Sequence, residues 1–129
     1  MNTFENFDKN GKLLLADNTV VNFNELKWNQ HPTFKGVALK HLVTSKQTGG
    51  RFSYHLVKID PNCKIEEHCH PIQLETHEVI GGSGVCYNQG TKINYKSGVI
   101  SILEANTPHE VEASEQGLYL LAKFIPALV

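Results

Sequence analysis

The chain has 129 residues, 40% of them apolar, with 12 Lys and Arg against 13 Asp and Glu and a net charge of −1. That length fits one domain whose core needs no staples, and the charge balance leaves no basic footprint for nucleic acid. Arg51 is the sole arginine, so a bidentate phosphate clamp is nearly excluded, and no apolar run approaches a membrane span.

Residues 1–18 are polar and read as an extension with little regular structure. Residues 1–10 have neither the basic start nor the apolar run of a signal peptide. The odd set Cys63, Cys69 and Cys86 is therefore expected as free thiols in a reducing cytoplasm. Residues 19–23, TVVNF, suggest a short strand, and Trp28 and Phe34 bracket His31-Pro32 in an extended approach. Residues 1–35 form an N-terminal extension expected to pack on the barrel or on a partner subunit, and 36–129 form the main domain.

Strands are expected over residues 36–44 and 51–59, joined through a turn at 46–50. Strands at 65–70 and 74–80 follow, and Gly82 and Gly84 are expected to end the second in a tight turn. A hairpin over 85–95 turns at Asn88-Gln89-Gly90, and strands at 99–103, 109–113 and 118–125 complete the chain. Residues 118–125 are apolar on both faces apart from Lys123, which marks a strand covered on both sides. No long helix is expected. Many short strands with regular turns mean a sandwich or barrel.

The chemistry concentrates in residues 65–84. His68 and His70 are two apart, so a strand would put both imidazoles on one face. Cys69 between them would face away. Glu75 follows after a short turn, and His109 could join the same ion only if the chain folds back as a barrel. A jelly roll does this. His77 shares a face with Glu75 and is a candidate acid or base, or a group that orients a ligand; packing alone would also satisfy it. Glu66 is a weaker candidate base, more often a rim residue of this kind. His41 and His55 lie on the first hairpin and could line the pocket, though an incidental placement is the plainer reading of each. Gly81-Gly82-Ser83-Gly84 precedes no helix and reads as a turn, not a phosphate loop.

These residues resemble the cupins, small metal-binding β-barrels. The first cupin motif is glycine, five residues, His-x-His, three or four residues, Glu, six residues, glycine. His68, His70, Glu75 and Gly82 fall at those spacings, with Asn62 in place of the first glycine. The second motif is matched by Gly90, Gly98 and His109, with Lys96 in place of its proline and Ala113 in place of its asparagine. The departures leave the four ligand positions intact. The resemblance implies an all-β, single-domain antiparallel jelly-roll (double-stranded β-helix) barrel. It also implies one divalent transition metal ion per chain, held by His68, His70, Glu75 and His109. Three imidazoles and a carboxylate suit Fe, Mn, Ni, Cu or Zn and leave two positions open on an octahedral ion.

The resemblance leads first to a metal-dependent oxygenase acting on a small oxygen-bearing molecule, with Glu75 and His77 as catalytic groups. A non-catalytic small-molecule-binding module and a cupin isomerase or lyase are the alternatives. Expected partners are a small-molecule substrate and a second copy of the chain in a homodimer, with neither nucleic acid nor membrane. The dimer rests on the two-sided apolar strand at 118–125 and on Trp28, which has no obvious place in a minimal barrel.

Overall fold

The computed structural model describes residues 2–129. The main sheet is antiparallel and uses strands β3 (Asn29–Gln30), β4 (Val37–Val43), β5 (Ser53–Ile59), β6 (Lys64–His68), β7 (Leu74–Asn88), β8 (Thr91–Lys96), β9 (Ile100–Leu103) and β10 (His109–Ile125). A separate hairpin pairs β1 (Lys12–Leu14) with β2 (Val20–Asn22). No helix among the described residues is long and apolar enough to cross a membrane.

Two long strands close the structure. The C-terminal half of β10 lies between β5 and β7, whereas its N-terminal half lies between β6 and β7. Strand β7 likewise pairs β9 through residues 75–78 and β8 through residues 83–88. Both strands therefore pass from one sheet into the other, and the sheet folds over itself. The bends fall at register shifts between Ala113 and Leu118 and between Tyr119 and Leu120.

The turn expected at Gly82 and Gly84 is thus corrected: β7 continues through both. Gly82 has φ of +69°, and a Cβ there would lie 2.0 Å from the Gly117 carbonyl oxygen. A Cβ on Gly84 would lie 2.2 Å from the Glu112 carbonyl oxygen. These glycines bend the strand and admit its neighbour's backbone, which explains their signal without a chain reversal. The strands expected at 109–113 and 118–125 are likewise one bent strand, β10.

Two further expectations are corrected. The turn at 46–50 is a helical turn, α2 (Ser45–Thr48), started by a Thr44–Gln47 capping box and ended by Gly49 in the left-handed conformation. Residues 2–18 carry structure: a turn of α-helix, α1 (Thr3–Glu5), a π-helical stretch Asn6–Asn10 and strand β1.

Alternation along β5 and β10 sorts the core into two layers. Val57, Ile59, Leu118, Leu120 and Phe124 fill the barrel interior. Leu56 and Leu121 face outward onto a second cluster with Phe23 and Leu42, packed by Phe4, Phe7, Leu13 and Trp28 of the N-terminal segment. The Phe4 ring lies 4.4 Å from that of Tyr119. Trp28 donates from Nε1 to Asp8 at 3.2 Å, and Asp8 pairs with the buried Lys40. The chain itself thus covers much of the second apolar face of residues 118–125 and gives Trp28 its place.

Candidate metal centre

Each side chain of the site comes from a different local device. His68 ends β6, and His70 lies just beyond that strand. Their rings are 5.0 Å apart and nearly perpendicular, so the pair converges although only one of them is on the strand. Cys69, beyond the end of β6, is exposed and stands outside the cluster. Glu75 points inward from β7, opposite Phe124. His109 opens β10 directly across from His68, which is how the barrel returns it to the site. The four ligand atoms all lie within 4.8 Å of one another. Donors on one first-row ion at about 2.0–2.2 Å can be no more than about 4.4 Å apart, so closure needs a contraction of a few tenths of an ångström.

The donor chemistry supports a cation at the centre. His68 Nδ1 is 2.9 Å from the Glu66 carbonyl oxygen and His109 Nδ1 is 3.2 Å from that of Thr107. A carbonyl only accepts, so both Nδ1 atoms carry hydrogen and both Nε2 atoms of the neutral rings present lone pairs. His109 Nε2 then faces Glu75 Oε1 at 3.2 Å, acceptor against acceptor, and neither buried atom has a hydrogen-bond partner. Such orphaned acceptors call for positive charge.

Without an ion, a proton is the competitor. Burial lowers the pKa of His109, but the Glu75 carboxylate outweighs it and holds that pKa above the ordinary value. Burial opposes ionisation of Glu75, yet His77 and His109 hold its carboxyl well below the usual range, so it is an anion. Burial also lowers the pKa of His68 and His70, which favours neutral imidazoles.

His77 is buried with both nitrogens engaged. Nε2 is 2.7 Å from Glu75 Oε2, and Nδ1 is 2.9 Å from the Tyr95 hydroxyl. Burial above all keeps that hydroxyl protonated, so the chain runs Tyr95 to His77 to Glu75, each donating to the next. It fixes Oε2 and leaves Oε1 toward the histidines. Nothing in the sequence ties Tyr95 to this chain, because the link crosses from β8 to β7.

Glu66 is exposed and borders a different cavity, with Thr33, Cys63 and Glu112. His41 and His55 do not line the metal pocket but pair with each other, Nδ1 to Nδ1, at 2.8 Å. His55 Nε2 also meets Ser53 Oγ at 2.8 Å. Burial, with the adjacent His41, lowers the His55 pKa to about 4. The unfolded chain takes up a proton near the ordinary value of 6.5 that folded His55 refuses. Stability should therefore fall as pH drops from about 6.5 toward 4, by about 3 kcal/mol in full from this group. Urea midpoints of metal-free protein should show a shallower acid loss for His55→Leu; an unchanged slope would contradict the assignment.

The pocket is a cavity of about 120 Å³ bounded by His31, Leu39, Val57, Ile65, Leu120, Ala122, Phe124 and Leu128, with His68, His70, Glu75 and His77 at one side. His31 is a pocket residue that sequence reasoning did not single out as functional.

No protein-family model matches the chain, and no curated protein matches it in sequence. Solved structures do. A protein from Thermotoga maritima described as a predicted oxalate decarboxylase superimposes with a TM-score of 0.76 at 21% identity, over 84% of this chain and 99% of that one. KdgF from Halomonas sp. gives 0.70 at 19%, over 80% and 88% of the two chains. An RmlC-like cupin from Shewanella frigidimarina gives 0.70 at 14%, over 81% and 87%.

The fold is the cupin barrel.

Within that cupin barrel the four ligand positions named from the motif come together as one cluster. Asn62, which stands for the motif's first glycine, has φ of +61°. It thus fills a left-handed position that glycine would also accept.

Proposed function

We propose that this cupin is a metal-dependent enzyme acting on a small oxygen-bearing molecule, with oxygenation the leading reaction. One observation carries the reading: three imidazoles and a carboxylate converge within 4.8 Å at the side of a small, mostly apolar pocket. His68, His70, Glu75 and His109 would hold one divalent ion, which when bound supplies Lewis acidity and, as Fe(II), an anchor for dioxygen. Glu75 lowers the charge at the centre, and its Oε1, turned toward His70 and His109, is the atom that would accept a proton when substrate binds. His77 acts through Glu75: its Nε2–H on Oε2 sets how readily Oε1 takes a proton.

The test is an oxygen electrode with the Fe(II), Mn(II) and Ni(II) forms on enolic and diketone substrates. Glu75→Gln should keep much of the metal and lose turnover. His77→Ala should keep the metal and slow turnover by about 10²–10⁴. Ligand-induced stabilisation with neither oxygen uptake nor product in any form would replace the enzyme with a binding module. Redox-neutral lyase or isomerase chemistry is the second reading, favoured by the hydrogen-bonded chain from Tyr95 to Glu75, and product without oxygen uptake would select it.

The homodimer is part of the proposal. It is supported by Ile100 and Ile102, which are 66% and 61% exposed on strand β9, and light scattering showing a monomer at tens of micromolar would contradict it.

A further inference from the structure

We propose that His31 is a substrate-binding residue whose Nε2–H donates to an acceptor oxygen of a small monoanion held at the metal centre. The inference rests on the metal-centre reading and adds the ligand class.

The tautomer follows from the backbone. The amides of Thr33 and Phe34 both donate to His31 Nδ1, each at 3.1 Å. Nδ1 is thus an acceptor, so the neutral ring carries its hydrogen on Nε2. Burial also lowers the His31 pKa, which favours the neutral form. The ring is held in place three ways. Its own amide donates to the Val37 carbonyl at 2.8 Å, the two amides grip Nδ1, and Phe34 stacks on its face at 4.4 Å with an 18° tilt. Nε2–H is the donor left over, and the ring borders the metal pocket.

No other wall residue competes for the role. Apart from His31 itself, His68, His70, Glu75 and His77, every residue lining the pocket is apolar. An oxygen bound away from the ion therefore has His31 as its side-chain donor, in a setting where an unpaired acceptor is costly. The charge selects the rest. A divalent ion with three neutral imidazoles and one carboxylate keeps a single positive charge, which a monoanion neutralises. A dianion would leave excess negative charge against apolar walls with no lysine or arginine among them. Size sets the limit: a cavity of about 150 Å³ holds benzene, so 120 Å³ admits a ligand of about five or six heavy atoms. A short chelating 2-oxo carboxylate or enolate meets all three conditions.

The experiment uses the Ni(II)-loaded full chain, with pyruvate and imidazole as probes, read by calorimetry and visible absorption. Pyruvate offers acceptor oxygens; imidazole binds a metal through nitrogen and offers none. We expect His31→Phe, which keeps an aromatic ring against Phe34, to weaken pyruvate by about 10–100-fold, the loss for a hydrogen bond to a charged group. Ni(II) affinity and imidazole binding should not change. His31→Gln restores an N–H donor near the same place and should recover most of the loss. His31→Leu is a second donor-free variant, used if the phenylalanine variant does not fold. Pyruvate binding to both donor-free variants as tight as to wild type would overturn the role of His31 and leave the metal centre standing. Wild-type Ni(II) protein that binds imidazole but not pyruvate would overturn the ligand class. Failure to take up Ni(II), read as metal content, would sink the underlying centre and this inference with it.

Discussion

Replacing His109 by alanine is expected to lower the affinity for a divalent metal by at least about 100-fold, since losing even a group that supports a ligand costs about 10–100-fold. His109 is the test residue because it lies far from the others in sequence and reaches them only through the pairing of β10 with β6. Its Nε2 has no hydrogen-bond partner, and it faces a carboxylate oxygen that has none either. The ring is buried, so its removal also leaves a cavity; His109→Gln retains bulk and separates lost packing from lost ligation. Competition with a chromophoric chelator gives the affinity, and circular dichroism confirms the fold. Full metal occupancy in His109→Ala and in His68→Ala would contradict the ligand set.

The second large effect concerns the bend of β7. Gly82→Ala should cost about 2–6 kcal/mol, combining about 1–3 for a left-handed non-glycine residue with about 1–3 for overpacking. The clash is with backbone, the Gly117 carbonyl oxygen 2.0 Å from the added Cβ, so no side-chain rotation relieves it. Gly90→Ala is the control. Gly90 also has positive φ, +81°, but an added Cβ there meets nothing within 4 Å, so only the conformational cost of about 1–2 kcal/mol applies. Urea unfolding measures both. Equal losses at the two positions would mean that β7 and β10 do not approach as closely as described.

These glycines also show where the sequence was legible and where it was not. Gly82 and Gly84 announce a departure from regular strand, but a turn and a bend produce the same local signal. What decides between them is the approach of Glu112 and Gly117, which are distant in sequence. The long strand β10 was divided for the same reason: Gly117 has φ of +79°, yet pairing with β7 resumes beyond it. The cluster of four was legible because His68, His70 and Glu75 sit close in sequence within a motif of fixed spacing, and a second motif supplied His109. His31 was not. Its role depends on two backbone amides that set its tautomer and on β3 lying beside β4. Residues 1–18 read as an extension with little regular structure because Phe4, Phe7 and Leu13 are thinly spaced among polar residues. Their partners, Leu42, Leu56 and Leu121, belong to strands far along the chain.

Elemental analysis of protein purified without added metal tests the central claim most directly. The account predicts about one equivalent of a first-row divalent ion per chain, lost in His68→Ala and His109→Ala. Protein that carries no metal and takes up none of Fe(II), Mn(II), Ni(II) or Zn(II) when they are supplied would contradict it.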